Sequence, residues 1–182
     1  LQDKSGRYYV SQALRLARGQ IYVSQFDLNV EDGRVEQPHK PMLRFATPVF
    51  DADGRRQGLV ILNYLGDRLL QRFREAATNI ADHVQLLNGD GHWLSSPRPM
   101  EAWGFMFGRD DTFGGRFPNE WQRIQGQSEG QFVSPNGLFT FATVVPAAQA
   151  ARALPAGLVP SVGHEAWKVV AHMPSAAQVS SP

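Results

Sequence analysis

Leu43-Arg44-Phe45-Ala46-Thr47-Pro48-Val49-Phe50, then Asp51-Ala52-Asp53-Gly54, then Gln57-Gly58-Leu59-Val60-Ile61-Leu62-Asn63-Tyr64: two runs rich in β-branched and aromatic residues flank a turn signal. That order reads as a β-hairpin, because such side chains suit a pleated surface and Asp and Gly suit the reversal between two strands. Upstream, residues 20–26 read as a further strand. Before it, residues 5–18 carry Val10, Ala13, Leu14 and Ala17 at helical spacing, with Gly19 placed where a left-handed cap would end the helix. The intervening residues 27–41 are polar, contain Asp32-Gly33, Pro38 and Pro41, and read as a long excursion.

Downstream, Asp67 suits an N-cap, and Leu69, Leu70, Phe73, Ala76, Ala77 and Ile80 place one apolar stripe on a second helix ending near Asp82. Two more hairpin signals follow. Asn88-Gly89-Asp90-Gly91 lies between strands expected at 84–87 and 92–95, and Ser134-Pro135-Asn136-Gly137 lies between strands expected at 131–133 and 138–145. Residues 97–117 mix Pro and Gly with Trp103, Phe105, Phe107 and Phe113, and Pro118 opens a short helix to residue 125. Residues 146–163 are expected to be a loop with a little helix in their Ala run, and residues 166–172 a last strand. Hairpins at both ends with helices between them imply an antiparallel sheet in an α+β arrangement and exclude the parallel βαβ plan.

Composition sets the outer bounds. The 182 residues are 42% hydrophobic, with four Trp and eleven Phe, enough for one ordinary domain or two small modules with real cores. Eighteen Lys and Arg against seventeen Asp and Glu leave a net charge of +1, which steers the chain toward neither nucleic acid nor anionic lipid. The chain has no Cys, which excludes disulfides, thiolate zinc sites and Cys nucleophiles together. The longest nearly unbroken apolar stretch, 58–66, is far short of the roughly 20 residues that span a bilayer. The chain opens in mid-pattern and closes on a polar tail, 175–182, as a piece of something longer would.

Strands split two and three around helical connections follow the PAS-like plan, and several runs make the likeness specific. Ile21-Tyr22-Val23-Ser24, Pro41 to Asp51 and Gly58 to Tyr64 resemble the membrane-distal half of a double Cache (PDC) sensor. Leu86 to Leu94, Trp103-Gly104-Phe105-Met106-Phe107, Phe117-Pro118-Asn119-Glu120-Trp121 and Asn136 to Phe141 resemble its membrane-proximal half. The resemblance implies the extracytoplasmic, periplasmic sensing region of a bacterial inner-membrane receptor, of histidine kinase or diguanylate cyclase type. It implies a small-molecule ligand and a homodimer, with membrane contact only through transmembrane helices outside this stretch. It divides the chain into a partial distal module (1–66), a connecting helix (67–82), a complete five-stranded proximal module (83–174) and the tail. A complete distal module has a long helix and two more strands before the helix found here. The distal sheet is therefore expected to expose an edge.

Arg44 lies on a strand between apolar neighbours, where a guanidinium can hold a ligand carboxylate or pair structurally with an acidic residue of the excursion. Tyr22 and Ser24 share a face by strand alternation and, with Asn63, would supply hydroxyl and amide groups beside it. Amino-acid-binding relatives tend to place an Asp where Asn63 stands, so the resemblance does not extend to an amino-acid ligand. Trp103, Phe105 and Trp121 would form an aromatic pocket in the second module or simply its core. The rival reading is a periplasmic protein-interaction module that uses the aromatic segment from Trp103 to Trp121. The five His show no metal-ligand spacing, and Asp51 and Asp53 in DxDG lack the Glu of a calcium loop. There is no GxSxG elbow, SxxK element or Gly-rich phosphate loop, so neither a catalytic residue nor a cofactor is implied.

Overall fold

The computed structural model describes residues 3–152, 158–161 and 166–175. The chain divides into two compact units, one formed by residues 1–66 with 145–165, the other by residues 67–144 with 166–182.

The first unit is built on the hairpin of β5 (Pro41–Phe50) and β6 (Arg56–Leu65), antiparallel with Arg44 opposite Asn63. The other edge of β5 takes β1 (Gln20–Val23) and then β2 (Asp27–Leu28), both antiparallel. A small hairpin, β3 (Val30–Glu31) with β4 (Arg34–Val35), occupies the expected excursion. Helix α1 (Tyr8–Ala13) lies against β5 and is shorter than the 5–18 its periodicity suggests. Arg7 supplies no side-chain cap, and so short a helix persists only through what it buries, here Tyr9 and Ala13. Together with Phe26, Leu28, Met42, Leu43 and Ala46 these residues are buried.

Two features of this unit bear on function. Among the described residues β6 pairs only with β5, which is the open edge the resemblance implies. Its apolar side chains stay exposed, Leu62 at 62% and Val60 at 56%. The second feature is the return of residues 145–165. Sequence alone reads them as a loop of the second module, whereas α5 (Pro146–Ala151) leads to β11 (Val159–Ser161), which pairs with β1, and does so in parallel. The cause is the free edge of β1: the Val159 N–H donates to the Gly19 carbonyl at 2.9 Å, and Pro160 is tolerated because β11 is an edge strand. Residues 153–157, 162–165 and the tail beyond 175 lie outside the described residues.

The second unit opens with α2 (Asp67–Ala76) and a 3-10 turn at Thr78–Ile80, where the stripe suggests one helix to Asp82. Its sheet has the order β8-β7-β12-β10-β9, antiparallel throughout, formed by β7 (Val84–Leu87), β8 (Trp93–Ser95), β9 (Glu129–Ser134), β10 (Gly137–Val144) and β12 (Trp167–Pro174). The connection across the sheet carries 3-10 turns at Pro99–Glu101 and Gly104–Phe107, then α3 (Phe113–Arg116) and α4 (Pro118–Gln125). The core is largely aromatic: Trp93, Phe113, Trp121, Phe132, Phe139 and Phe141 close with Leu87, Ile124 and Val170. Gly137 holds the tight turn between β9 and β10 at φ 126°, and a Cβ there would sit 2.1 Å from the Met173 carbonyl oxygen.

Candidate functional site

Arg44 sits on the face of β5 that α1 covers and is 4% exposed. Its guanidinium donates to Asp27 Oδ1 at 2.6 Å and to Asn29 Oδ1 at 2.9 Å, and lies 4.7 Å over the Tyr9 ring. Tyr8 donates its hydroxyl to the second Asp27 oxygen at 2.7 Å. Burial pushes the Asp27 carboxyl above its ordinary range, with the Arg44 charge and the Tyr8 hydroxyl pulling it partly back; burial and the Asp27 charge push the Tyr8 phenol up as well. Arg44 is thus engaged by an acidic residue of the excursion.

Ser24 is fully buried beside it, donating its hydroxyl to the Gln25 carbonyl and accepting from the Arg44 backbone N–H at 2.9 Å. Tyr22, half-buried on β1, stands opposite Ala46, and Asn63 stands opposite Arg44 in register but is exposed. The structure therefore brings Ser24 to Arg44 through its backbone, and leaves Asn63 on the solvent side of the pair. Tyr8, Asp27 and Asn29 complete the cluster and were not singled out from sequence. Of the three, the expectation of an acidic partner in the excursion points to Asp27 alone.

In the second unit Trp121 belongs to the core, its ring 5.8 Å from that of Phe113. Trp103 is buried, holds a left-handed backbone at φ 62° and has its ring 6.2 Å from half-buried Phe105. These aromatics are mostly turned inward. The more open feature is a cavity of about 310 Å³ lined by Gln85 and His172 from the sheet and by Ser96, Arg98, Glu101 and Arg116 from the connection after β8. Glu101 is its organiser: Oε1 receives Arg116 at 2.8 Å and Arg98 at 3.2 Å, while Oε2 receives the Ser96 hydroxyl at 2.6 Å. Burial raises the Glu101 carboxyl, but the bonds from Ser96 and Arg116 outweigh it and hold the carboxyl below the usual range. Arg116 also lies 4.7 Å over the Trp93 ring. His172 stacks on Phe139 and points Nε2 at the Asn136 carbonyl, 2.8 Å away.

No group of three or more His, Cys, Asp or Glu side chains among the described residues is placed to hold a metal ion. None of the helices among those residues is long and apolar enough to cross a membrane.

A family model, that of the bacterial histidine kinase sensor domain, matches residues 1–154. The chain belongs to this family. Solved structures agree with the sensor-domain fold. A sensory box/GGDEF family protein domain from Vibrio parahaemolyticus is 22% identical, with a TM-score of 0.74 over 99% of this chain and 62% of that one. The extracellular domain of histidine kinase vpHK1S-Z8 is 21% identical, with a TM-score of 0.74 over 100% and 61%. The ligand-binding domain of the amino acid chemoreceptor PctC of Pseudomonas aeruginosa PAO1, solved with GABA, is 16% identical, with a TM-score of 0.56 over 94% and 62%. The sensor domain thus spans about three fifths of these solved chains. A comparison with curated protein sequences returned no match. The PAS-like, double Cache plan implied by the sequence is the fold observed.

Proposed function

We propose that this sensor domain is an extracytoplasmic, small-molecule-sensing input region of a bacterial membrane receptor with a histidine kinase or diguanylate cyclase output. In this reading the chain itself performs no chemistry. The carrying observation is the family match across residues 1–154. The likeness of fold to the extracellular domain of a histidine kinase and to a chemoreceptor domain solved with GABA supports it. The first unit takes the place of the membrane-distal module and the second that of the proximal one, and the working state is a homodimer. A ligand acts by binding one arrangement of the receptor better than another, which shifts their populations.

Inward packing of Trp103 and Trp121 weighs against a protein-docking use of the aromatic segment, since side chains committed to a core are not offered to a partner. Arg44 with Tyr22, Ser24 and Asn63 remains the proposed polar wall of a distal site, with Asp27 already holding its guanidinium. The test is a thermal-shift screen of the 182-residue chain and of the full receptor against organic acids, amino acids, amines and nucleobases. A ligand that binds only the native state raises the melting temperature by mass action. Stabilisation by one chemical class supports sensing; a flat response from both proteins overturns it.

A further inference from the structure

The cavity of the second unit contains an ion cluster with more donors than acceptors. Arg98 and Arg116 bring two guanidiniums, each with a rigid fork of N–H groups, to the same carboxylate oxygen, Glu101 Oε1. The other Glu101 oxygen is taken by Ser96. Most of the guanidinium N–H groups are thus left without an anionic acceptor among the described residues. Gln85 adds to the surplus: its Oε1 accepts from the Trp93 indole at 2.6 Å, so its amide nitrogen is the end left to donate. The one other carboxylate in the lining, Asp82, is exposed, where water screens its charge. The volume, about 310 Å³, is at the lower end of small-molecule pockets and suits an acid of a few carbons.

We propose that this cavity binds a small organic carboxylate, held by Arg116 and Arg98 in competition with Glu101 for the same guanidinium donors. Glu101 acts as an internal stand-in: it keeps the two arginines converged, and an incoming carboxylate shares or displaces it. The cavity walls include Gln85 on β7 and His172 on β12, so an occupant touches both adjacent strands as well as the connection after β8. This inference rests on the sensing reading but assigns the site to the second unit, away from Arg44.

The test is calorimetric titration of the full 182-residue chain with succinate, with acetate, and with inorganic phosphate, repeated on three variants. Succinate binding is expected to weaken about tenfold or more in Arg116→Gln, since one charge-assisted contact is removed. The exposed Arg98→Gln gives a smaller loss without risk to the fold. Glu101→Gln is the decisive variant: removing the competing charge tightens succinate several-fold, a change of sign that a purely structural Glu101 would not produce. Succinate binding unchanged in all three variants, or no binding of either carboxylate, overturns the proposal, as does phosphate binding that exceeds carboxylate binding. If amines or nucleobases stabilise the chain while succinate does not, this site falls and the sensing reading stands.

Discussion

Arg44 and Glu101 each anchor one unit, and the carboxyls of Asp27 and Glu101 answer to pH in opposite ways. Arg44 and Asp27 form a buried pair, so Arg44→Met leaves a carboxylate without its counter-charge and is expected to cost about 3–5 kcal/mol, read as a lower urea midpoint at unchanged slope. The Asp27 carboxyl is raised by burial, so its favourable contribution is complete below its unfolded pKa and lost as pH rises through the folded value. Glu101 is the reverse: its folded carboxyl is lowered, so its contribution is complete above the unfolded pKa and lost as pH falls through the folded value. The melting temperature of Glu101→Gln is therefore expected to fall less steeply than that of the parent below about pH 4. Arg44 could be read from sequence because a cation between apolar strand residues requires a partner. Arg98 and Arg116 could not: 18 positions apart in a stretch without periodicity, they meet only because the connection folds back over the sheet.

At the scale of elements, the hairpins declare themselves and the chain between them does not. The turns after Phe50, Leu87 and Ser134 fall where Asp, Asn and Gly place them, and the paired strands differ from expectation by a residue or two at their ends. Where pairing depends on a distant edge, composition is silent: Val159–Ser161 carries no alternation, and only the unfilled side of β1 makes it a strand. The open side of β6 has the opposite character, fully legible and unsatisfied. Its N–H and C=O groups, unpaired on the outer edge among the described residues, and exposed Val60, Leu62 and Tyr64 form a template for another strand. The 182-residue chain is expected to self-associate with rising concentration, and Leu62→Lys to suppress this in sedimentation velocity while shifting stability by less than about 0.5 kcal/mol, since the side chain is already in solvent.

For the molecule as a whole, the sequence reveals the sensor plan because both units repeat a scheme of hairpins and helical connections, yet the path of the chain between them is set by tertiary pairing. Residues 145–165 leave the second unit after β10, contribute to the first, and hand the chain back at β12. The strand that closes the second sheet is thus the last one made. Since β12 lies between β7 and β10, the β7–β8 and β9–β10 hairpins have no common partner until it arrives. As the chain emerges from the ribosome from its N-terminus, two hairpins and the aromatic connection must wait, side by side and without a shared sheet, for residues 167–174. Val170, fully buried at the centre of that core, arrives only then. The second unit therefore completes its sheet only when residues 167–174 are added, and until then no part of that sheet larger than a hairpin can take its final pairing.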